Sequence, residues 1–306
     1  MTQSWHIKKL LQWTTEYFTQ KGIDTPRLDA EILLANLLQI KKIDLYLQFD
    51  RPLTDSELAA YKQLVKRRVA HEPVAYMVGK KEFWSRDFIV NKDVLIPRPE
   101  TELIVDAVID YVKEQNWQEK DITGYEVGLG SGCLAISLLC ELPNLKMTAI
   151  EISEEAIIVA KKNAVQHGVL DRLEIICDDF LIEGSRDRPP SLLASARQAG
   201  VAGSRGFDFV IANPPYIAEG EKDKLPQTVR DYEPIEALFA DQEGLVFYPT
   251  IANFSKNYLR ESGFVAVEIG ETQAQKVRDV FKKEGFEGVE VKKDYAGHDR
   301  IVVSGQ

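Results

Sequence analysis

The chain has 306 residues, 44% of them hydrophobic and 28% charged, and a formal net charge of −10 at pH 7. That is material for one large or two ordinary globular domains with a proper core. The acidic balance argues against broad nucleic-acid binding, which leans on Lys and Arg against phosphate, although a local basic patch is compatible with it. The three cysteines, Cys133, Cys140 and Cys177, form no C-x-x-C pair, so a disulfide framework or a zinc site is not expected and a reducing compartment fits. The stretch Met1–Lys9 lacks the apolar core of a signal peptide, and no apolar run is long enough to span a bilayer. The expectation is a cytoplasmic protein with no membrane association.

Residues 1–72 read as helices. Leu10, Leu11, Tyr17 and Phe18 mark one apolar face, Gly22 can stop that helix, and Leu28, Ile32, Ala35 and Leu38 recur at three- and four-residue steps. Thr54-Asp55-Ser56-Glu57 has the spacing of a capping box, with Leu58, Tyr61 and Val65 continuing behind it. His6 and His71 are isolated and read as surface residues. This small helical bundle carries no catalytic cluster; it either docks a partner or substrate or only stabilises the rest. Over 73–97, Pro73, Gly79, Phe83-Trp84 and Phe88-Ile89-Val90 predict two short strands, a hairpin linking the domains. A proline-stiffened segment follows, Ile96-Pro97-Arg98-Pro99-Glu100-Thr101-Glu102, leading into a helix through Val112 that either Thr101 caps or Pro99 and Glu100 open in its first turn. The plainest reading pairs Arg98 and Glu100 with each other or with the hairpin.

From Tyr125 the pattern becomes strand, glycine loop, helix. Glu126-Val127-Gly128-Leu129-Gly130-Ser131-Gly132 lets backbone approach a ligand at the N-terminus of the helix that begins near Leu134. Its G-x-G-x-G spacing differs from the dinucleotide fingerprint, and without a lysine it is a poor triphosphate cradle. The next strand, Lys146–Ile150, ends in Glu151, which lies 21 residues past Gly130. An acid at that distance and at a strand end is placed to accept both hydrogen bonds of a ribose diol. Ser153 caps the following helix, Leu173–Cys177 is a third strand, and Asp178-Asp179-Phe180 at its end offers an acid and an aromatic to a purine or is a solvated turn. Residues 184–206, rich in Ser, Ala, Gly, Arg and Pro, read as an exposed, mobile insertion.

The apolar run Phe207–Ala212 is a buried strand that delivers Asn213-Pro214-Pro215-Tyr216 to the carboxyl edge of the sheet. The prolines remove backbone donors and keep their carbonyls, and Asn213 before a proline is biased to extended geometry. The Asn213 side-chain oxygen and the Pro214 carbonyl can converge as two acceptors beside the Tyr216 ring, which suits a planar –NH2 group on a carboxamide or a nucleobase; the bland reading is a stiff turn. Lys222–Glu236, charged and broken by Pro226 and Pro234, reads as a substrate-facing loop. A helix over Gly244–Arg260, a strand over Gly263–Ile269, a helix over Thr272–Glu284, a strand near Val289 and a last strand from Ile301 complete a mostly parallel sheet covered on both faces, the last strand pairing through a tight turn.

In this order and spacing the glycine loop, Glu151 and the Asn-Pro-Pro-Tyr loop resemble S-adenosylmethionine-dependent amino-group methyltransferases of the Rossmann-like class. Arg98-Pro99-Glu100-Thr101-Glu102, the stretch from Glu72-Pro73 to Ile96-Pro97, and the ending Gly297-x-Asp299-Arg300 extend the resemblance to the HemK-type (PrmC) protein-(glutamine-N5) methyltransferases, over nearly the whole chain outside 184–206. The resemblance implies a Rossmann-like α/β sheet, mostly parallel with an antiparallel last strand, behind a small N-terminal helical bundle. It implies a docking bundle over 1–72, a hairpin linker over 73–97 and a catalytic domain over 98–306. It implies S-adenosylmethionine as cofactor, no metal, and methyl transfer to the glutamine of the Gly-Gly-Gln loop of release factors by a monomer without direct nucleic-acid binding. Gly128, Leu129, Gly130, Ser131 and Gly132 would wrap the methionine end of the cofactor, Glu151 its ribose, and Asp178 with Asp179 its adenine. Asn213, Pro214, Pro215 and Tyr216 would bind the substrate glutamine, with Asn213, Pro214 and Tyr216 at the chemistry and Asn213 also at the cofactor. Two positions depart from the family pattern: Glu126 stands where Asp is usual, and Asp179 where an apolar or aromatic residue is common. Nucleobase methylation, glutamine methylation of a large-subunit ribosomal protein, and a non-catalytic adaptor are the rival readings.

Overall fold

A computed structural model describes residues 5–183 and 206–305, so the insertion expected over 184–206 lies, apart from Gly206, outside the described residues. The chain forms two units, Met1–Lys80 with Leu225–Tyr232, and Lys81–Lys224 with Glu233–Gln306. The first is helical: α1 (Ile7–Gln20), α2 (Pro26–Leu38), α3 (Lys42–Leu47), α4 (Asp55–Val69) and α5 (Val74–Val78). Ile7, Leu11, Phe18, Leu33, Tyr61 and Val65 meet in its core. The capping box starts α4 as its spacing predicts: Thr54 Oγ1 accepts from Glu57 N, and Glu57 Oε2 accepts from Thr54 N. His6, half-buried, caps α1, its Nδ1 accepting from Lys9 N. Residues 225–232 join this unit, where the Tyr232 hydroxyl donates to the Ala70 carbonyl at 2.7 Å.

The second unit opens with the hairpin β1 (Lys80–Phe83) and β2 (Arg86–Ile89). Its turn residues Trp84 and Ser85 both sit at positive φ, 51° and 55°, the twist a two-residue hairpin requires. α6 (Glu102–Glu114) precedes a Rossmann-like sheet of β3 (Ile122–Val127), β4 (Leu145–Glu151), β5 (Leu173–Cys177), β6 (Phe207–Ala212), β7 (Leu259–Glu268), β8 (Glu290–Lys293) and β9 (Asp299–Gly305). Its order is β5-β4-β3-β6-β7-β9-β8. The neighbours from β5 to β7 are parallel, and β9 runs antiparallel to both β7 and β8.

The apolar strands are continuous because both faces are covered. Phe209, Ile211, Phe264 and Ala266 pack on one side against α6, α7 (Cys133–Glu141) and α8 (Glu154–Gln166). Val210, Ala212, Val265 and Val267 alternate to the other, against α9 (Phe247–Tyr258) and α10 (Ala274–Lys283). β7 begins at Leu259, where the sequence predicted helix through Arg260: α9 stops at Tyr258, and the Arg260 guanidinium turns to Asp208.

Asp208 is the polar tie in this sheet. Fully buried on β6, it accepts from Lys120 Nζ at 2.8 Å, Thr123 N at 2.8 Å and Arg260 Nη1 at 2.6 Å. Burial opposes its charge, but these donors together hold its carboxyl below the usual range. Asp208→Ala removes the acceptor that Lys120, Thr123 N and Arg260 share, and is expected to lower stability by about 3 kcal/mol, read from the urea midpoint.

Candidate active site

Register brings the functional residues to one level. Val127 pairs with Ile150 on one side and with Ala212 on the other, and Ala212 pairs with Val267. The residues that follow, Gly128, Glu151, Asn213 and Glu268, therefore emerge together at the carboxyl edge. Strand order reverses between β3 and β6, the switch point where open α/β sheets bind ligands. A cavity of about 800 Å³ lies there, lined by Gly128–Ser131, Glu151, Asp178, Asp179 and Asn213–Pro215. Gly132 and Tyr216 do not line it. Gly132 turns the chain into α7 at φ 81°, and a Cβ there would meet Ile136 Cδ1 at 2.7 Å.

The glycine loop is held by its own neighbourhood. Gly128 N and Leu129 N donate to the Ile150 carbonyl, and Gly130 N donates to Glu151 Oε2 at 2.8 Å. The other Glu151 oxygen accepts from Ser153 N at 3.0 Å. Asn163, fully buried on α8, donates to the Ser131 carbonyl and exchanges hydrogen bonds with the Ile89 backbone, tying the loop to the hairpin. Glu126 is buried and accepts from Ala135 N at 3.0 Å, so its extra methylene reaches the first turn of α7. Burial, together with the nearby Glu151 charge, pushes its carboxyl well up despite that hydrogen bond. Asp178 Oδ1 accepts from Asp179 N, and Asp179 Oδ1 from Leu181 N, which shapes the turn after β5.

The Asn-Pro-Pro-Tyr loop is braced from behind. Asn213 Nδ2 donates to Thr101 Oγ1 at 3.2 Å, and Thr101 Oγ1 donates to Glu268 Oε2 at 2.7 Å. The Tyr216 hydroxyl donates to Glu268 Oε1 at 3.2 Å, and Gln273 Nε2 donates to the Tyr216 carbonyl at 2.9 Å. Thr101 thus does not cap α6 through its side chain, because its hydroxyl is committed to Glu268. Arg98 pairs with neither Glu100 nor the hairpin but with buried Glu233, at 2.6 Å. Glu233 also accepts from Ile96 N, which fixes the start of the segment through Pro234 that walls the cavity. Sequence reasoning passed over Thr101 as an anchor, Glu268, Glu233, Gln273 and Asn163. Of these only Glu268 left a signal, an acid closing the apolar run Phe264–Val267 at the same sheet edge as Asn213.

The cavity's ionisable lining is mainly acidic, with Glu126, Glu151, Asp178 and Asp179 outweighing Lys92 and Arg98. Such a set of acceptors suits a cationic ligand with a diol and an ammonium group, and suits a phosphorylated one poorly.

The catalytic domain of human METTL16, solved with an RNA hairpin from the MAT2A 3′UTR, aligns with a TM-score of 0.54 at 18% identity, over 83% of this chain and 84% of that one. That likeness defines a Rossmann-like α/β fold. Among sequence relatives, the release factor glutamine methyltransferase of Geobacter sulfurreducens is 36% identical over 97% of this chain and 96% of its own length. The bifunctional methyltransferase of Rickettsia prowazekii is 37% identical over 97% of this chain, which spans 56% of that relative. The PrmC N-terminal domain model matches residues 9–79. The chain belongs to the release factor glutamine methyltransferase family.

Burial raises the Glu268 carboxyl to about 7, although Thr101, Arg300 and Tyr216 all favour its charge. The folded state then holds a proton that the unfolded chain has released, so this group's contribution to stability falls as pH rises from about 4.5 to about 7. Thermal unfolding across that window should show a steeper loss of stability with pH in the unmodified protein than in Glu268→Gln.

Proposed function

We propose that this chain transfers the methyl group of S-adenosylmethionine to the side-chain amide nitrogen, N5, of the glutamine in the Gly-Gly-Gln motif of peptide-chain release factors. Family membership supports the reaction class, and the observation that carries it to these residues is the state of Asn213. Its Nδ2 is committed to Thr101, which leaves Oδ1, without a partner among the described residues, as the acceptor beside the Pro214 carbonyl.

The cofactor supplies a methyl group on a sulfonium, which needs no further activation. The protein's work is to make a reluctant nucleophile attack. An amide nitrogen shares its lone pair with its carbonyl. Asn213 Oδ1 and the Pro214 carbonyl accept both N–H bonds, turn the nitrogen toward the methyl and favour the positive charge that grows on it. The proton leaves readily after transfer, so a general base is not required. Glu151, already oriented by Gly130 N and Ser153 N, accepts from the ribose diol. Gly128–Ser131 wrap the methionine end of the cofactor, with Gly132 turning the chain into α7 behind them, Glu126 faces its ammonium group, and Asp178 with Asp179 border the adenine. Pro215 and Tyr216 stiffen the substrate side, Tyr216 from behind the wall rather than within it. The helical unit of residues 1–72 docks the protein substrate, the enzyme works as a cytoplasmic monomer, and neither nucleic acid nor membrane takes part.

The test is methyl transfer from labelled S-adenosylmethionine to a release factor with an intact Gly-Gly-Gln loop, beside a large-subunit ribosomal protein, RNA and DNA. Label on the release-factor glutamine is expected, and label confined to any other acceptor overturns the reading. Asn213→Ala should lower kcat at least about 100-fold, the scale of a lost transition-state hydrogen-bonding group, while cofactor affinity changes little. Glu151→Ala should instead weaken cofactor binding by about 30-fold, as the ribose contacts are lost, measured by calorimetry.

A further inference from the structure

The geometry points to Glu268 as a positioning residue for the methyl transfer proposed above: its carboxylate, acting through the Thr101 hydroxyl, fixes which end of the Asn213 amide faces the cavity. The catalytic meaning rests on the proposed function; the hydrogen-bond logic does not.

The two ends of an asparagine amide have nearly the same shape and opposite hydrogen-bonding character. With Oδ1 toward the cavity, Asn213 attracts an –NH2 group; with Nδ2 there, it repels one. Shape alone cannot make that choice. Thr101 has a single hydroxyl proton to donate. An ionised Glu268 only accepts, so that proton goes to Oε2 at 2.7 Å, and the Thr101 oxygen is left as an acceptor. Asn213 must then present Nδ2, which it does at 3.2 Å. The second carboxylate oxygen takes the Tyr216 hydroxyl at 3.2 Å, so one buried side chain sets both ends of the loop.

The groups that face this carboxylate come from several elements. Arg300 on β9 and Tyr216 favour its charge, Glu100 ahead of α6 opposes it, the Cys133 thiol on α7, pushed up chiefly by burial, is raised further by it, and the Tyr248 hydroxyl on α9 donates to the Glu268 backbone carbonyl. Once protonated, Glu268 can donate to Thr101 Oγ1. The Thr101 proton is then free to turn toward Asn213, and the amide loses its reason to keep Oδ1 in the cavity.

Three variants of the full chain test this with labelled S-adenosylmethionine and a release factor. Thr101→Val keeps the volume and removes the hydroxyl, and should lower kcat about tenfold, the equivalent of one hydrogen bond, with little change in cofactor affinity. Thr101→Ser should recover most of that loss. Glu268→Gln carries its own donor and should lower kcat by a similar factor at pH 8. The unmodified enzyme should slow as pH falls through 7, and Glu268→Gln should lose that dependence. Separately from activity, NMR contacts between the Asn213 side-chain amide protons and Thr101 should be present at pH 8, weaken as pH falls through 7, and vanish in Thr101→Val. If the unmodified protein leaves no label on the release factor while those NMR changes occur, the substrate assignment fails and the positioning role stands. If Thr101→Val and Glu268→Gln keep the unmodified kcat, if Thr101→Ser is as slow as Thr101→Val, or if the NMR contacts do not titrate, the positioning role is wrong.

Discussion

Parallel register is the constraint from which the site follows. In a parallel sheet every strand ends at the same edge, so matching Val127 to Ile150 and to Ala212 decides at once where Gly128, Glu151 and Asn213 stand. The hydrophobic alternation that locks the register is therefore also what assembles the cavity. A slip of one residue on β6 would exchange Phe209 and Ile211 with Val210 and Ala212 between the two covered faces, a change the packed helices do not tolerate.

Around that edge the protein withholds water from acids. Glu126, Glu233 and Glu268 are all buried, and burial raises the carboxyl of each. Each is spared the full cost by specific donors: Ala135 N for Glu126, Arg98 and Ile96 N for Glu233, Thr101 and Tyr216 for Glu268. Glu126 borders the cavity itself, where a cationic ligand is the natural partner for its charge. The other two serve the walls, one fixing the segment before Pro234 and one fixing the Asn-Pro-Pro-Tyr loop.

Most of the sheet was legible in the sequence because its inner strands are mainly apolar and end at a glycine, an asparagine or an acid. The glycine loop and Glu151 were legible because their separation reflects one strand-helix-strand unit. What could not be read were contacts between residues distant in sequence. Thr101 looked like a helix cap because local pattern favours that role, yet its hydroxyl finds Glu268, 167 positions away. Arg98 looked like a local ion-pair partner and instead meets Glu233, 135 positions away. His6 is a different case: a lone histidine carries little pattern, and its capping role at the start of α1 depends on backbone geometry. Gly132 and Tyr216 sat within recognisable motifs, but a motif does not say which of its members face the cavity and which support it.

The chain's path between its units has a consequence for dissecting the protein. Residues 225–232 belong with the helical unit, while the segments on either side belong with the sheet. No single cut after Lys80 separates the two bodies cleanly. A fragment that started at Lys81 would carry a stretch whose companions had been removed, with the Tyr232 hydroxyl deprived of the Ala70 carbonyl. A self-contained catalytic fragment would need that internal stretch bridged or replaced, and a helical fragment would need it supplied.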